Sequence, residues 1–244
     1  MINLINKKIL NELIIYTPIN QKLHFGSKGD GGYIIIDGYD YDYFITCGIE
    51  NNITFENDFC NYKNYISGLA FDGTVNRPSN LSKNIDFLKI NIGSDNTDNT
   101  TNLNEETKNY KNIFLKMDIE SHEWKWLKSF NNLNNCKQII LEIHGLFDER
   151  WKNLGKYEYE DILLGLEKIN KTHFLVHFHG NNCADTMEID SLFYPTVGEL
   201  TFIRKSDCFV DGFNQLPLPS NLDYSNNSKE KDIDLNFWPF VFNQ

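Results

Sequence analysis

The stretch from Asn112 to Trp126, NIFLKMDIESHEWKW, decides the fold, because an apolar run ends abruptly in two carboxylates and then turns helical. Such a run reads as a buried strand, which places Asp118 and Glu120 where the strand opens to solvent. In an open α/β sheet, ligands bind outside the carboxyl ends of the strands. A second strand, IILEIHG over residues 139–145, ends the same way. Glu142 and His144 are two apart, so on a strand their side chains share a face. A carboxylate after a strand is often only the cap of the next helix, and a lone strand histidine is more often a satisfied core group. Two acidic strand ends and a histidine at one rim are nevertheless hard to explain by solubility alone.

Toward the N-terminus, Leu4, Ile5, Ile9, Leu13 and Ile14 recur at helical spacing and predict a packing helix. Next, FGSKGDGGYIIIDGYD (25–40) reads as a turn feeding a strand. YDYFITCGIENN ends a strand at Cys47-Gly48, and TFENDFCNY follows as a helix with Thr54 as its N-cap. YISGLAFDGTV (65–75) is a strand ending in Asp72, and DFLKINIGS (86–94) is another ending in Gly93, followed by an Asn/Asp-rich loop. Beyond the central stretch come a strand over 137–143, a helix around 159–169, and the strand HFLVHFHG, whose His177 and His179 share one face. Residues 198–204 make a seventh strand. Its short link predicts an antiparallel partner, since parallel crossovers need about a dozen residues. From Ser206 the chain reads as an extended tail with three prolines, anchored by Trp238, Phe240 and Phe242. The organisation is thus a helical segment (1–24), one domain (25–205) and a packed tail (206–244).

The 244 residues, 41% hydrophobic, suffice for one α/β core. A net charge of −11 without a Lys/Arg cluster argues against nucleic acid and anionic membranes as partners. Five cysteines with no C-x-x-C pair suggest neither a disulfide framework nor a zinc ribbon, which fits a reducing cytoplasm. The N-terminal lysines lie inside the apolar stretch, unlike a secretion signal, and no apolar run is long enough to span a bilayer.

GDGGYIII (29–36), FITCGIENNITFEND (44–58), FLKMDIESHEWKWL (114–127), QIILEIHG (138–145) and the later HFHGNN and GELTFI resemble the FkbM-like S-adenosylmethionine-dependent methyltransferases. The likeness covers most of the chain from Phe25 to Lys205. LKMDIE followed by H-E-W is its most specific element, with Ser121 where the family usually has glycine. The resemblance implies a doubly wound, mostly parallel, seven-stranded Rossmann-like (class I) sheet with an antiparallel last strand, and S-adenosylmethionine as cofactor. Carried over by position, Gly48 with Glu50 and Asn51 would pass the amino-acid part of the donor. Asp72, with Gly73 beside it, would take the ribose, and Asn91 to Gly93 would lie near the adenine. Asp118 would face the sulfonium and the acceptor, and Asp30, Gly31 and Gly32 would border the donor pocket.

The expected reaction is methyl transfer to a hydroxyl of a small molecule, with a saccharide or sugar nucleotide for surface polysaccharide favoured. A neutral alcohol must lose its proton, for which His144 is the first candidate base and His179 the second, with Glu142 orienting the imidazole. Glu120 would anchor acceptor hydroxyls. The same rim offers a divalent metal (magnesium, manganese or iron) the mixed set Asp118, Glu142 and His144. Trp124, Trp126 and Trp151 are candidates to stack on a sugar ring. A nicotinamide oxidoreductase is disfavoured, because C-G-I-E-N-N stands where pyrophosphate approach requires G-x-G-x-x-G. Two further alternatives are a metal-dependent hydrolase built on Glu142, His144, His177 and His179, and a non-catalytic binding module of the same fold.

Overall fold

The computed structural model describes residues 4–242. Seven strands form the central sheet: β1 (Tyr43–Cys47), β2 (Gly68–Phe71), β3 (Ile85–Leu88), β4 (Ile113–Asp118), β5 (Cys136–His144), β6 (His173–Gly180) and β7 (Val197–Arg204). Their spatial order is β3-β2-β1-β4-β5-β7-β6, with β7 antiparallel to both its neighbours and the remaining pairs parallel. This is the doubly wound, mostly parallel sheet expected from the sequence. The order reverses between β1 and β4, so the crevice at the ends of those two strands is the natural ligand position.

β4 and β5 are buried on both faces, as near-continuous apolar strands of a parallel sheet should be. The pleat sends Ile113, Leu115 and Met117 to one face, where they join Trp124, Trp126, Ile139, Leu141 and Leu166. Helices α1 (Leu4–Glu12), α3 (Glu123–Ser129) and α5 (Tyr159–Asn170) supply that layer. Phe114 and Ile140 point to the other face, where α2 (Thr54–Tyr62) brings Phe55 and Phe59 against Phe44.

That second face also carries polar residues, and a hairpin of Lys22–Gly26 with Gly32–Ile36 satisfies them. The Ile36 N–H donates to Gln138 Oε1 at 2.7 Å, and Thr201 Oγ1 donates to the Ile34 carbonyl at 2.6 Å. Buried polar groups left without such partners would each cost about 1–3 kcal/mol, so the hairpin's register is fixed by them.

Several local expectations change. The third strand stops at Leu88; Asn91–Ile92 leaves the sheet to pair with Thr100–Thr101. Thr54 is the first residue of α2 and not its cap, for its hydroxyl and N–H both donate to Asn52 Oδ1. In the N-terminal segment Leu10 and Ile15 are buried and Leu4 is exposed, because the helix ends at Glu12 and Tyr16–Pro18 turns extended to pair with Val210–Phe213. An unforeseen helix, α4 (Glu149–Gly155), is capped by Asp148.

The tail is pinned by ion pairs as well as by apolar anchors, Leu218, Leu235, Phe240 and Val241 joining the core. Phe240 is buried and Phe242 stacks on Phe213, but Trp238 is well exposed. Asp223 accepts from His177 Nε2 at 2.8 Å, and Asp232 and Glu199 hold the two nitrogens of His179. Lys22 Nζ donates to His177 Nδ1, so a neutral imidazole links an ammonium to a carboxylate. Burial opposes charge on His179, but Asp232, Glu199 and Asp223 outweigh it and push the imidazole up to about 11. A folded-state value above the unfolded one near 6.5 stabilises the fold fully below pH 6.5, and the benefit is lost as pH rises toward 11. Urea midpoints should therefore fall over this window, with a one-proton slope of at most about 1.4 kcal/mol per pH unit. His179→Gln should flatten that part of the profile.

Candidate functional site

Gly48 ends β1 with φ +68, and a Cβ there would lie 1.6 Å from the Asp118 carbonyl oxygen. Only glycine permits this approach. The turn after β1 is thereby pressed against the end of β4, and Lys116 Nζ ties it down by donating to the Gly48 carbonyl at 2.9 Å. Burial disfavours the Lys116 charge, yet Glu56, Asp118 and Glu142 around it keep the ammonium above its ordinary value. The ridge so formed separates two hollows of about 630 and 540 Å³, and Gly48, Glu50, Asp118 and Glu120 border both.

The smaller hollow is walled by Asp72, Gly73, Asn91 and Gly93 on the β2 and β3 side. Asp72 is less free than expected. Its Oδ2 accepts from the Ile49 and Glu50 N–H groups, and its Oδ1 from the N–H and hydroxyl of Thr74 and the N–H of Val75. Burial alone would raise this carboxyl, but those donors outweigh it and hold it below the usual range. Asp72 welds the turns after β1 and β2 together, so a ribose contact would have to displace one of its donors.

The larger hollow is bordered by Tyr33, Glu142, His144, Trp151 and Asn181. Asp30 and Gly31 lie on this wall, while Gly32 and Asn51 border neither hollow. Trp124 and Trp126 are core residues, leaving Trp151 as the tryptophan at the site, its ring 5.0 Å from that of His144.

Asp118, Glu142 and His144 come together, each offering a ligand atom within 4.8 Å of the others. Glu142 does not orient His144, because its oxygens accept from Tyr33 Oη and Asn181 Nδ2, both at 2.9 Å. The orienting carboxylate is Glu123, whose Oε1 lies 3.1 Å from His144 Nδ1 and also accepts from the Ile119 N–H. His144 Nε2 faces Glu120 at 3.5 Å. Glu123 was missed because it sits on a helix twenty-one residues from its partner. The only available signal was an acid in the first turn after LKMDIE.

The charges oppose one another. Burial raises Asp118 to about 6 against the pull of Lys116 and His144, and burial with Asp118 and Glu199 alongside holds Glu142 well above its ordinary value. Burial lowers His144, but Glu123, Asp118 and Glu142 prevail and push it up to about 10, so it is charged at neutral pH. An imidazolium cannot accept a proton, so the role of base expected of His144 calls for its neutral form. His179 lies outside the hollow with both nitrogens engaged, so neither the second candidate base nor the four-residue hydrolase set is assembled.

Asp118 Oδ1 is shielded from solvent and has no hydrogen-bond partner, and neither has the Ser121 hydroxyl. Glu120 and Ser121 both adopt left-handed backbone, with φ +51 and +76, where the resembled family places glycine at the second position.

No family model and no curated protein matches this chain. Among solved structures, a chain of the fibrillarin/Nop5p complex is similar, with 9% identity and a TM-score of 0.42, covering 70% of this chain and 76% of that one. A likeness that weak bears on neither activity nor ligand.

Ser121→Gly should stabilise the protein by about 1 kcal/mol in urea titrations, relieving left-handed strain and an orphan hydroxyl against the added freedom of the unfolded chain. Gly48→Ala should cost about 2–4 kcal/mol, from overpacking plus left-handed strain.

Proposed function

We propose that this chain is an S-adenosylmethionine-dependent O-methyltransferase acting on a hydroxyl of a small saccharide. One observation carries the reading. Asp118 stands at the strand crossover point, between two hollows, with one oxygen unengaged. A two-substrate transfer needs two chambers meeting at one point, and holding both reactants there can supply about 7–11 kcal/mol of the barrier in favourable cases. The FkbM-like motifs fall on this ridge, with Gly48 and LKMDIE forming its two sides.

The smaller hollow, beside Asp72, Asn91 and Gly93, is the place for the donor's adenosine, and Glu50 and Asp118 present negative charge to a sulfonium. When bound, that cofactor supplies a methyl group on a positively charged sulfur. The larger hollow takes the acceptor, with Trp151 as an aromatic face and Glu120 as a hydroxyl anchor.

The residues also fit a divalent cation. Two carboxylates and an imidazole make an oxygen and nitrogen set suited to magnesium, manganese or iron. Glu123 behind His144 Nδ1 is the carboxylate–histidine support such sites use. When bound, a cation there lowers the pKa of a coordinated hydroxyl. Asp118, Glu142 and His144 would hold it, while Tyr33 and Asn181 keep Glu142 oriented. A cation also answers the crowding of buried carboxylates that raises Glu142 and Asp118 above their ordinary values.

With labelled methyl donor and a panel of saccharides, the wild type should transfer label, and Asp118→Asn should lower turnover by about 10²-fold or more while circular dichroism stays unchanged. A chelator should slow the wild type, and added magnesium or manganese should restore it. Transfer to no saccharide, with neither S-adenosylmethionine nor S-adenosylhomocysteine bound in calorimetry, would refute the reading.

A further inference from the structure

We infer that Asn182 and Asn226 are positioning residues through which the C-terminal tail braces the outer wall of the larger hollow; the acceptor role of that hollow rests on the methyltransferase reading. Two stretches outside the central sheet make this wall. One is residues 181–185, where Asn181, Cys183, Ala184 and Asp185 border the hollow. Asn181 Nδ2 holds Glu142 Oε1, and Asn181 Oδ1 accepts from the Cys183 N–H, both at 2.9 Å. The other is the turn 27–31, which brings Asp30 and Gly31 to the hollow. Gly26, Gly29, Gly31 and Gly32 leave that turn little stiffness of its own.

The tail supplies ties to both stretches. Asn182, alone of residues 181–185, does not border the hollow. Its side-chain amide pairs with the tail backbone as a peptide group would, Oδ1 accepting from the Asn227 N–H at 2.7 Å and Nδ2 donating to the Asn227 carbonyl at 3.1 Å. One residue earlier, Asn226 Nδ2 donates to Glu199 Oε1 at 2.7 Å and reaches Asp30 Oδ1 at 3.5 Å. A Cβ on Gly29 would touch the Ser225 and Asn226 carbonyl oxygens at 3.7 Å, so turn and tail are in contact. The segment between is anchored on both sides, by Asp223 on His177 and by Asp232 on His179. Each tie contributes only about 0.5–1.5 kcal/mol, too little to decide folding but enough to shift a local opening of the wall several-fold. Among the described residues, none that borders only the smaller hollow has a hydrogen bond to the tail, so the brace acts on the acceptor side.

The experiment compares the full-length wild type with Asn182→Ala and Asn226→Ala. Cys183 is exposed on the wall and the other four cysteines are buried, so the rate of reaction with 5,5′-dithiobis(2-nitrobenzoate) reports on the wall and the number of thiols modified reports on the fold. In Asn182→Ala, Cys183 should react several-fold faster, with still a single thiol modified. Both variants should lower kcat/KM for the saccharide that the wild type methylates by about tenfold, while affinity for S-adenosylhomocysteine in calorimetry stays within about twofold. Cys183 reactivity unmoved in Asn182→Ala, acceptor kcat/KM unmoved in both variants, or donor affinity falling in step with it would overturn the inference. Should Asn182→Ala expose all five thiols, Asn226→Ala decides by the same comparison of acceptor and donor. If no saccharide accepts the label, the thiol rates decide alone whether the tail holds the wall. Failure of the wild type to bind S-adenosylhomocysteine would remove the methyltransferase reading, and the acceptor role with it, before any variant is compared.

Discussion

Everything at the carboxyl edge of the sheet depends on how closely the turn after β1 approaches the end of β4. Gly48 permits contact with the Asp118 carbonyl that no side chain would allow, and Lys116 holds the turn in place from below. The consequence is a ridge with a hollow on either side and one carboxylate at its crest. A looser turn would merge the two hollows into one open cleft. Asp72 reinforces the same geometry from the β2 side, its five donors drawn from the turns after β1 and β2.

A second theme is the concentration of charge on one face of the sheet. Asp118, Glu142, Glu199 and His179 are register neighbours across β4, β5, β7 and β6. The row divides by function. At the β4 and β5 end the groups border a hollow, and their protonation is frustrated. At the β7 and β6 end the carboxylates of the tail and β7 neutralise His179, and the same kind of residue becomes a clamp. Burial alone would disfavour every one of these charges. What separates site from clamp is access: the groups at the β4 and β5 end border a hollow, while both nitrogens of His179 are engaged by carboxylates.

The central strands, the order of the sheet and the antiparallel last strand were legible because the apolar runs are long, bounded and spaced by turn residues. Asp118, Glu142 and His144 were legible as a group because period two on β5 and the shared rim bring them together whatever the loops do. Partner choice was not legible. Glu123 pairs with His144 through the packing of α3 on β5, and Asp223 and Asp232 reach β6 from a tail whose path no local pattern encodes. For the same reason His179 looked like a free rim histidine until its partners appeared. Lys116 was not legible as a support, because strand periodicity does not show what a buried ammonium will meet. Its environment shows it to be the post on which the glycine turn hangs.

The account reduces to a claim about position: a sulfonium donor occupies the smaller hollow and presents its reactive carbon across the ridge to the larger one. A crystal structure of the protein soaked with S-adenosylhomocysteine tests this most directly. The account predicts adenosine density beside Asn91 and Gly93, with the sulfur facing Asp118. Density in the larger hollow alone, or an adenosine whose sulfur points away from Asp118, would contradict it.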